Sequence, residues 1–224
     1  MTIKSELIKL WNIATSPSYR AARAPYRAFR KAHGAHTPAQ FPQVQPGDVV
    51  LDIGGYLGQW SDDMISRYGV VSHIFEPHPS FASAMAERFA DNTSAHVHAY
   101  ALGSADGVLE MSDQANASSA LVSEGPTVTG VVKALGPVVE GLGLTDVAVI
   151  KMNIEGGEYD LLPAMIDSGF MAHVDQLVVQ FHKYSADDVA RRDAIREGLS
   201  RTHDCEWVYP FVWEQWARKT QGEG

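Results

Sequence analysis

Short apolar runs alternate with helical stretches along most of the chain. Val49–Leu51, Val70–Phe75, Val147–Asn153 and Val174–Phe181 are rich in β-branched residues and nearly free of charge. Such runs suit strands covered on both faces of a parallel sheet. A third strand is expected over His96–Leu102, where His96, His98 and Tyr100 alternate with Val97, Ala99 and Ala101. Helices are expected at about Gly58–Arg67, Ser80–Ala90, Tyr159–Ser168 and Ala186–Ser200. In the second of these, Phe81, Met85 and Phe89 fall on one face. Val108–Met111 and Val128–Val132 read as short strands, Val138–Leu142 as a short helix, and Asn116–Leu121 as a small polar loop. The alternation predicts an α/β fold with a Rossmann-like, doubly wound, mostly parallel sheet.

The two ends read differently. Residues 3–14 place Ile3, Leu7, Ile8, Leu10 and Trp11 at helical spacing. A second helical stretch, Ser18–Ala32, is interrupted by Pro25, and His33–Pro46 reads as a linker. The division expected is a helical arm and linker over residues 1–45 and one domain over 46–224. A final strand, Cys205–Val212, puts Trp207, Tyr209, Phe211 and Trp213 on one face. Such a stripe is more often core than a stacking platform.

The stretch VVLDIGGYLGQW, Val49–Trp60, carries the first chemistry. Asp52 ends a strand, and Gly54, Gly55 and Gly58 turn the chain into a helix. The next strand ends in Glu76, 24 positions after Asp52. Strand, glycine turn, helix, strand and acid form the nucleotide-binding half of a doubly wound fold, with the acid placed to accept hydrogen bonds from ribose hydroxyls. The dinucleotide fingerprint G-x-G-x-x-G fails at Tyr56, which argues against a nicotinamide dehydrogenase. No phosphate-cradling G-x-x-x-x-G-K-[ST] is present. D-x-G-G-x-x-G with a downstream acid fits S-adenosyl-L-methionine, whose positive charge suits acids that would repel a pyrophosphate.

Composition narrows the classes. The 224 residues suit one α/β domain with extensions, and the formal net charge of −9 argues against general nucleic-acid affinity. Residues 1–31 nevertheless carry seven Lys and Arg against Glu6 alone. That basic arm reads first as a solvated helical face, and otherwise as a lid or a grip on an anionic substrate or membrane surface. Cys205 is the one cysteine, so no intrachain disulfide can form. No apolar run approaches the roughly 18 residues of a membrane span, and the N-terminus lacks the apolar core of a signal peptide. The expectation is a cytoplasmic protein with no integral membrane association. His96 and His98 share a strand face, but no further ligand at suitable spacing makes them a metal site.

Five motifs in order resemble the FkbM family of S-adenosylmethionine-dependent methyltransferases. They are VVLDIGGYLGQW, IFEPHP with Glu76, AYALGSADG over Ala99–Gly107, IKMNIEGGEYDLL over Ile150–Leu162, and VVQFH over Val178–His182. The resemblance implies the class I methyltransferase fold and methyl transfer, typically to a hydroxyl of a natural product, sugar or glycan. It implies that Asp52, Gly54, Gly55 and Gly58 border the methionine end of the cofactor. Glu76 would take the ribose hydroxyls, with Ala101 and Leu102 near the adenine through backbone groups. Asn153, Glu155, Glu158 and His182 would line the acceptor side.

Asn153 departs from the family motif, which has an aspartate there. An amide is a poor base and a poor metal ligand, so no metal is expected and His182 or Glu155 is the candidate base. Glu155 and Glu158 have a structural alternative, holding the turn through backbone N–H groups. The rival reading of the whole is a S-adenosylmethionine-binding module that does not methylate and acts through interaction or regulation. Methylation of nucleic acid through the basic arm is a further rival, opposed by the acidic body. The partner expected is a small-molecule or glycan hydroxyl acceptor, and the N-terminal helices or aromatic tail could make a homodimer contact.

Overall fold

The computed structural model describes residues 16, 21, 23–34, 40–113 and 126–220. The expected helix at residues 3–14 and the loop Asn116–Leu121 lie outside them. Helix α1 is Ala24–His33. Pro25 does not interrupt a helix here but stands in its first turn. A missing N–H costs nothing at that position, and the fixed φ of proline is already helical.

Seven strands form the main sheet: β1 Val49–Ile53, β2 Val71–Phe75, β3 Ala95–His98, β7 Val147–Met152, β8 Val174–Val179, β9 His203–Tyr209 and β10 Trp213–Arg218, in the order β3-β2-β1-β7-β8-β10-β9. Pairing is parallel from β3 through β8. β10 runs antiparallel to β8 and to β9. Helices α2 Gln59–Tyr68, α3 Pro79–Arg88, α5 Glu158–Asp167 and α6 Asp188–Leu199 connect the strands. The fold is thus the mostly parallel, doubly wound α/β sheet that the apolar runs predict.

Two expectations are corrected. The run His96–Leu102 is not one strand. His98 carbonyl accepts both Glu76 N–H at 3.0 Å and Tyr100 N–H at 2.9 Å, and this turns the chain out of the main sheet. β4, Ala101–Gly103, then joins a separate three-stranded sheet with β5 Gly107–Ser112 and β6 Thr127–Ala134, in the order β4-β6-β5. Helix α4, Leu135–Leu142, leads back to the main sheet. The run Cys205–Val212 is likewise not the last strand. It breaks at Pro210-Phe211 into a hairpin of β9 and β10, so Trp207 and Tyr209 lie on β9, Phe211 in the turn and Trp213 on β10.

Each face of the sheet has its core. Leu51, Ile53, Ile150, Met152, Leu177 and Val179 pack under α5 and α6 against Leu161, Leu162, Met165 and Leu199. On the opposite face Val50, Val149 and Val178 meet Trp60 and Met64 of α2, Phe29 of α1 and Trp213. Phe41 and Val44, in the expected linker, belong to this second core, and Phe41 N–H donates to Tyr68 Oη at 2.9 Å.

Candidate active site

From β1 the chain proceeds outward through β2 and β3, whereas from β7 it proceeds the other way to β8. The crevice beyond the carboxyl ends of β1 and β7 is therefore the switch point, where ligands bind in open α/β sheets. Asp52 stands on β1 below that crevice and is fully buried. Its Oδ2 accepts Ser61 Oγ–H at 2.8 Å and its Oδ1 accepts Lys151 Nζ at 2.9 Å. Lys151, from β7, also donates to Gly54 carbonyl at 2.6 Å. One buried ion pair thus ties β1, β7 and the glycine turn together. Nothing in the sequence around Lys151 marks that role, because a single lysine in an apolar strand has no visible partner there.

The three glycines are required by protein packed against them. A Cβ on Gly54, at φ +87°, would stand 2.1 Å from Asn153 carbonyl oxygen. A Cβ on Gly55 would meet Ile74 Cγ2 at 2.3 Å, and one on Gly58 would meet Phe89 at 2.5 Å. Gly54 therefore lets the β1 turn and the β7 turn close on one another, while Gly55 and Gly58 bring α2 down on β2 and α3.

Glu76 follows β2 and is buried. Its Oε2 accepts Tyr56 N–H at 2.8 Å and its Oε1 accepts His78 N–H at 2.9 Å. Burial pushes its carboxyl above the usual range, and the two backbone donors and Lys151 pull the other way. Two residues on lies His78, 5% exposed, with neither ring nitrogen partnered among the described residues, its ring against Phe81. A buried unsatisfied polar ring is a costly arrangement and a signal that sequence could not carry.

Ala101 and Leu102 sit on β4, one of the two edge strands of the small sheet. Leu102 turns its side chain into the main core, which leaves backbone for any ligand contact. Asp160 of α5 fixes the following turn, accepting Ser104 N–H at 2.8 Å and Ser104 Oγ–H at 2.6 Å.

Beyond β7 and β8 the predicted acceptor-side residues come together. Glu158 opens α5 and is fully buried. Its Oε2 accepts Gly156 N–H at 2.8 Å, and its Oε1 accepts His182 N–H at 2.7 Å and lies 3.1 Å from His182 Nδ1. Tyr159, the next residue, donates its hydroxyl to His182 carbonyl at 2.6 Å. The first turn of α5 thus clamps His182 from both sides of its backbone. Glu155 stands on the outer side, with Oε1 3.4 Å from His182 Nε2 and Oε2 accepting Tyr184 hydroxyl at 2.9 Å. Its φ of 49° is a left-handed conformation that a non-glycine residue rarely holds outside a constrained site. Asn153 N–H bonds Ile53 carbonyl, and its Oδ1 is buried with no partner among the described residues.

The two glutamates are therefore unlike. Glu158 is a backbone holder, as the structural alternative had it, and Glu155 is the carboxylate with outward access. His182 is changed by both. Burial alone would lower its pKa, but hydrogen bonds and charge from Glu155 and Glu158 raise it to about 9. At neutral pH it is an imidazolium, so the near-neutral titration expected of it as a base does not hold in this setting.

A family model described as the methyltransferase FkbM domain matches residues 52–198. Solved structures with similarity to this chain include Aeropyrum pernix fibrillarin in complex with S-adenosyl-L-methionine, with 8% identity, 87% of this chain and 74% of that one covered, and a TM-score of 0.49. An rRNA methylase from Streptococcus thermophilus has 7% identity, coverage of 79% and 90%, and a TM-score of 0.48. Precorrin-6y C5,15-methyltransferase from Geobacter metallireducens has 14% identity, coverage of 80% and 83%, and a TM-score of 0.43. No curated protein matches the chain. With the family model matching about two thirds of its length, the chain belongs to the FkbM family of S-adenosylmethionine-dependent methyltransferases.

Proposed function

We propose that this methyltransferase methylates a hydroxyl oxygen of a sugar, glycan or other natural-product acceptor, with Glu155 taking up the proton. The carrying observation is the cluster of His182, Glu155 and Glu158 at the carboxyl edge of β7 and β8, where one carboxylate of the three groups keeps outward access.

The residues fit the cofactor. Gly54 lets the β1 and β7 turns close on one another at the crevice, Glu76 is held by two backbone donors, and the orphaned nitrogens of His78 lie two residues away. Glu76 and the backbone of β4 would hold the nucleoside, and the turn braced by Asp52 and Lys151 would border the methionine end. Bound S-adenosylmethionine supplies a methyl group already activated for in-line displacement. The protein's task is then to align the acceptor, exclude water and receive one proton. His182 orients one oxygen of the Glu155 carboxylate from 3.4 Å, and Tyr184 fixes the other at 2.9 Å. Glu155 thereby faces the acceptor as the group that accepts the hydroxyl hydrogen.

The test is turnover with a panel of hydroxylated acceptors, followed as formation of S-adenosylhomocysteine across pH. Glu155→Gln should lower kcat at least about ten-fold and leave calorimetric cofactor affinity unchanged. A rate that climbs through pH 9 in the parent and is indifferent to Glu155→Gln would make deprotonated His182 the base instead. Cofactor binding with no turnover on any acceptor would favour the non-catalytic module, for which Asn153 is the supporting feature.

A further inference from the structure

Beside the catalytic cluster lies a second concavity that the cofactor reading does not use. It has a volume of about 560 Å³, within the roughly 300–1,000 Å³ usual for small-molecule sites. Arg23 and Tyr26 of the α1 segment form one wall, Gln180 and Lys183 the floor, and Phe211 of the β9–β10 turn with Trp213 of β10 the other wall. Its floor is the carboxyl end of β8. Gln180 N–H bonds Met152 carbonyl at 3.0 Å, one residue before Asn153, and Lys183 adjoins His182. The cleft therefore opens on the same sheet edge as the candidate active site.

Three observations bear on what it takes. The first is charge. In a chain of net charge −9, residues 23–34 hold Arg23, Arg27, Arg30 and Lys31 and no acid. Lys183 adds its ammonium from the floor, exposed and without hydrogen bond or ion pair among the described residues. The second is aromatic surface. Tyr26 is 39% exposed with Arg23 and Arg30 at 5.5 and 5.9 Å from its ring centre, and Lys183 and Arg192 stand 5.6 and 5.2 Å from the Phe211 ring centre, so the aromatic surface carries positive charge. The third is strain. Phe211, which lines the cleft and packs on the main core, holds a φ of 57°, an outlier for a bulky residue. Such strain collects where a ligand is gripped. Helix α1 is fixed in place by Phe29, buried against Trp207 and Tyr209.

We propose that this cleft is the acceptor subsite and that it selects an anionic glycoside, with the sugar ring laid on Tyr26 and Phe211 and a carboxylate or phosphate turned to Lys183. This rests on the O-methylation reading and names the acceptor class for it. The basic helix then has a task that a solvated face does not give it: it supplies positive potential at the mouth of a site in an otherwise acidic molecule. Aromatic faces receive the apolar side of the ring, the Gln180 amide offers a donor and an acceptor to hydroxyls, and the ammonium reads the charge.

The full chain, saturated with S-adenosylhomocysteine, is titrated with three probes that share an aglycone: 4-nitrophenyl β-D-glucuronide, 4-nitrophenyl β-D-glucoside 6-phosphate and 4-nitrophenyl β-D-glucoside. One or both anionic probes should bind at least about ten-fold tighter than the neutral one. Which of them does so distinguishes carboxylate from phosphate. Lys183→Gln should bring the anionic probes down to the level of the glucoside, and Tyr26→Ala should weaken all three. Calorimetry with S-adenosylmethionine on each variant reports folding and the cofactor site separately. Equal binding of the three probes, binding of none, or an anion preference that survives Lys183→Gln overturns the subsite. Failure of the parent chain to bind cofactor would instead strike the underlying methyltransfer reading.

Discussion

His182 is charged because two carboxylates converge on it from one turn of chain. Its pKa, raised to about 9, sets a pH dependence of stability whose sign is fixed. In the unfolded chain the same histidine titrates near 6.5, so the folded form binds the extra proton between the two values. The stabilisation is complete below about pH 6.5 and is lost as pH rises through about 9. Thermal melts across that window should show a falling limb that His182→Gln abolishes. A limb that persists in the variant would mean that His182 is not charged in the fold. The residues of this cluster were legible individually, since each sits in a motif at a strand end. Their roles were not, because the proton on His182 and the contrast between Glu155 and Glu158 depend on which atoms meet. Lys151 and His78 show the same limit. A lysine in an apolar strand reads as an interruption until Asp52 is found 2.9 Å away. A histidine in IFEPHP carries no mark of burial.

At the scale of elements, the clearest omission is β10. Its sequence, WEQWAR, lacks the alternation of a half-buried strand because Glu214 is a buried acid. Glu214 is 1% exposed, yet it is ion-paired to Arg192 and Arg196 of α6 and accepts Trp216 Nε1–H at 3.2 Å. Two guanidinium groups satisfy a carboxylate where an apolar side chain would ordinarily stand. Removing the carboxylate leaves both cations facing a low-dielectric region. Glu214→Gln should therefore cost about 3–5 kcal/mol, read as a lower denaturation midpoint. Asp193→Asn is the control, since its 3.5 Å contact to Arg192 lies at a carboxylate 63% exposed and should be worth at most about 1 kcal/mol. The parallel strands were legible because burial on both faces leaves an uninterrupted apolar run. The small sheet was half legible: β5 and β6 appear as strands, but their pairing with β4 depends on a turn at His98 that no local signal marks.

The whole molecule divides its chemistry between the two directions in which the sheet grows. β2 and β3 lead to Glu76 and the turn toward β4, while β7 and β8 lead to the cluster of His182, Glu155 and Glu158, with the Asp52–Lys151 pair at the junction. The β2–β3 edge also holds a histidine stack whose titration opposes that of His182. His73 Nδ1 lies 3.0 Å from His98 Nε2, their rings are 5.3 Å apart, and His96 stacks on His73 at 4.9 Å. Burial, then His96, lowers the His73 pKa to about 4. Burial, then His73, His96 and Lys133, lowers that of His98 to about 4. A depressed histidine pKa favours the fold above the unfolded value, and that support is lost as pH falls from about 6.5 toward about 4. The stack therefore supplies an acid limb and His182 an alkaline one, and melting temperature against pH should form a dome with its crest near pH 6.5. His73→Asn, which removes one member of the coupled pair, should flatten the acid side and leave the alkaline side unchanged. His182→Gln should do the reverse. If both variants flattened the same limb, the two halves of the sheet would not titrate independently, and the assignment of opposite limbs to the β2–β3 and β7–β8 sides of the sheet would fail.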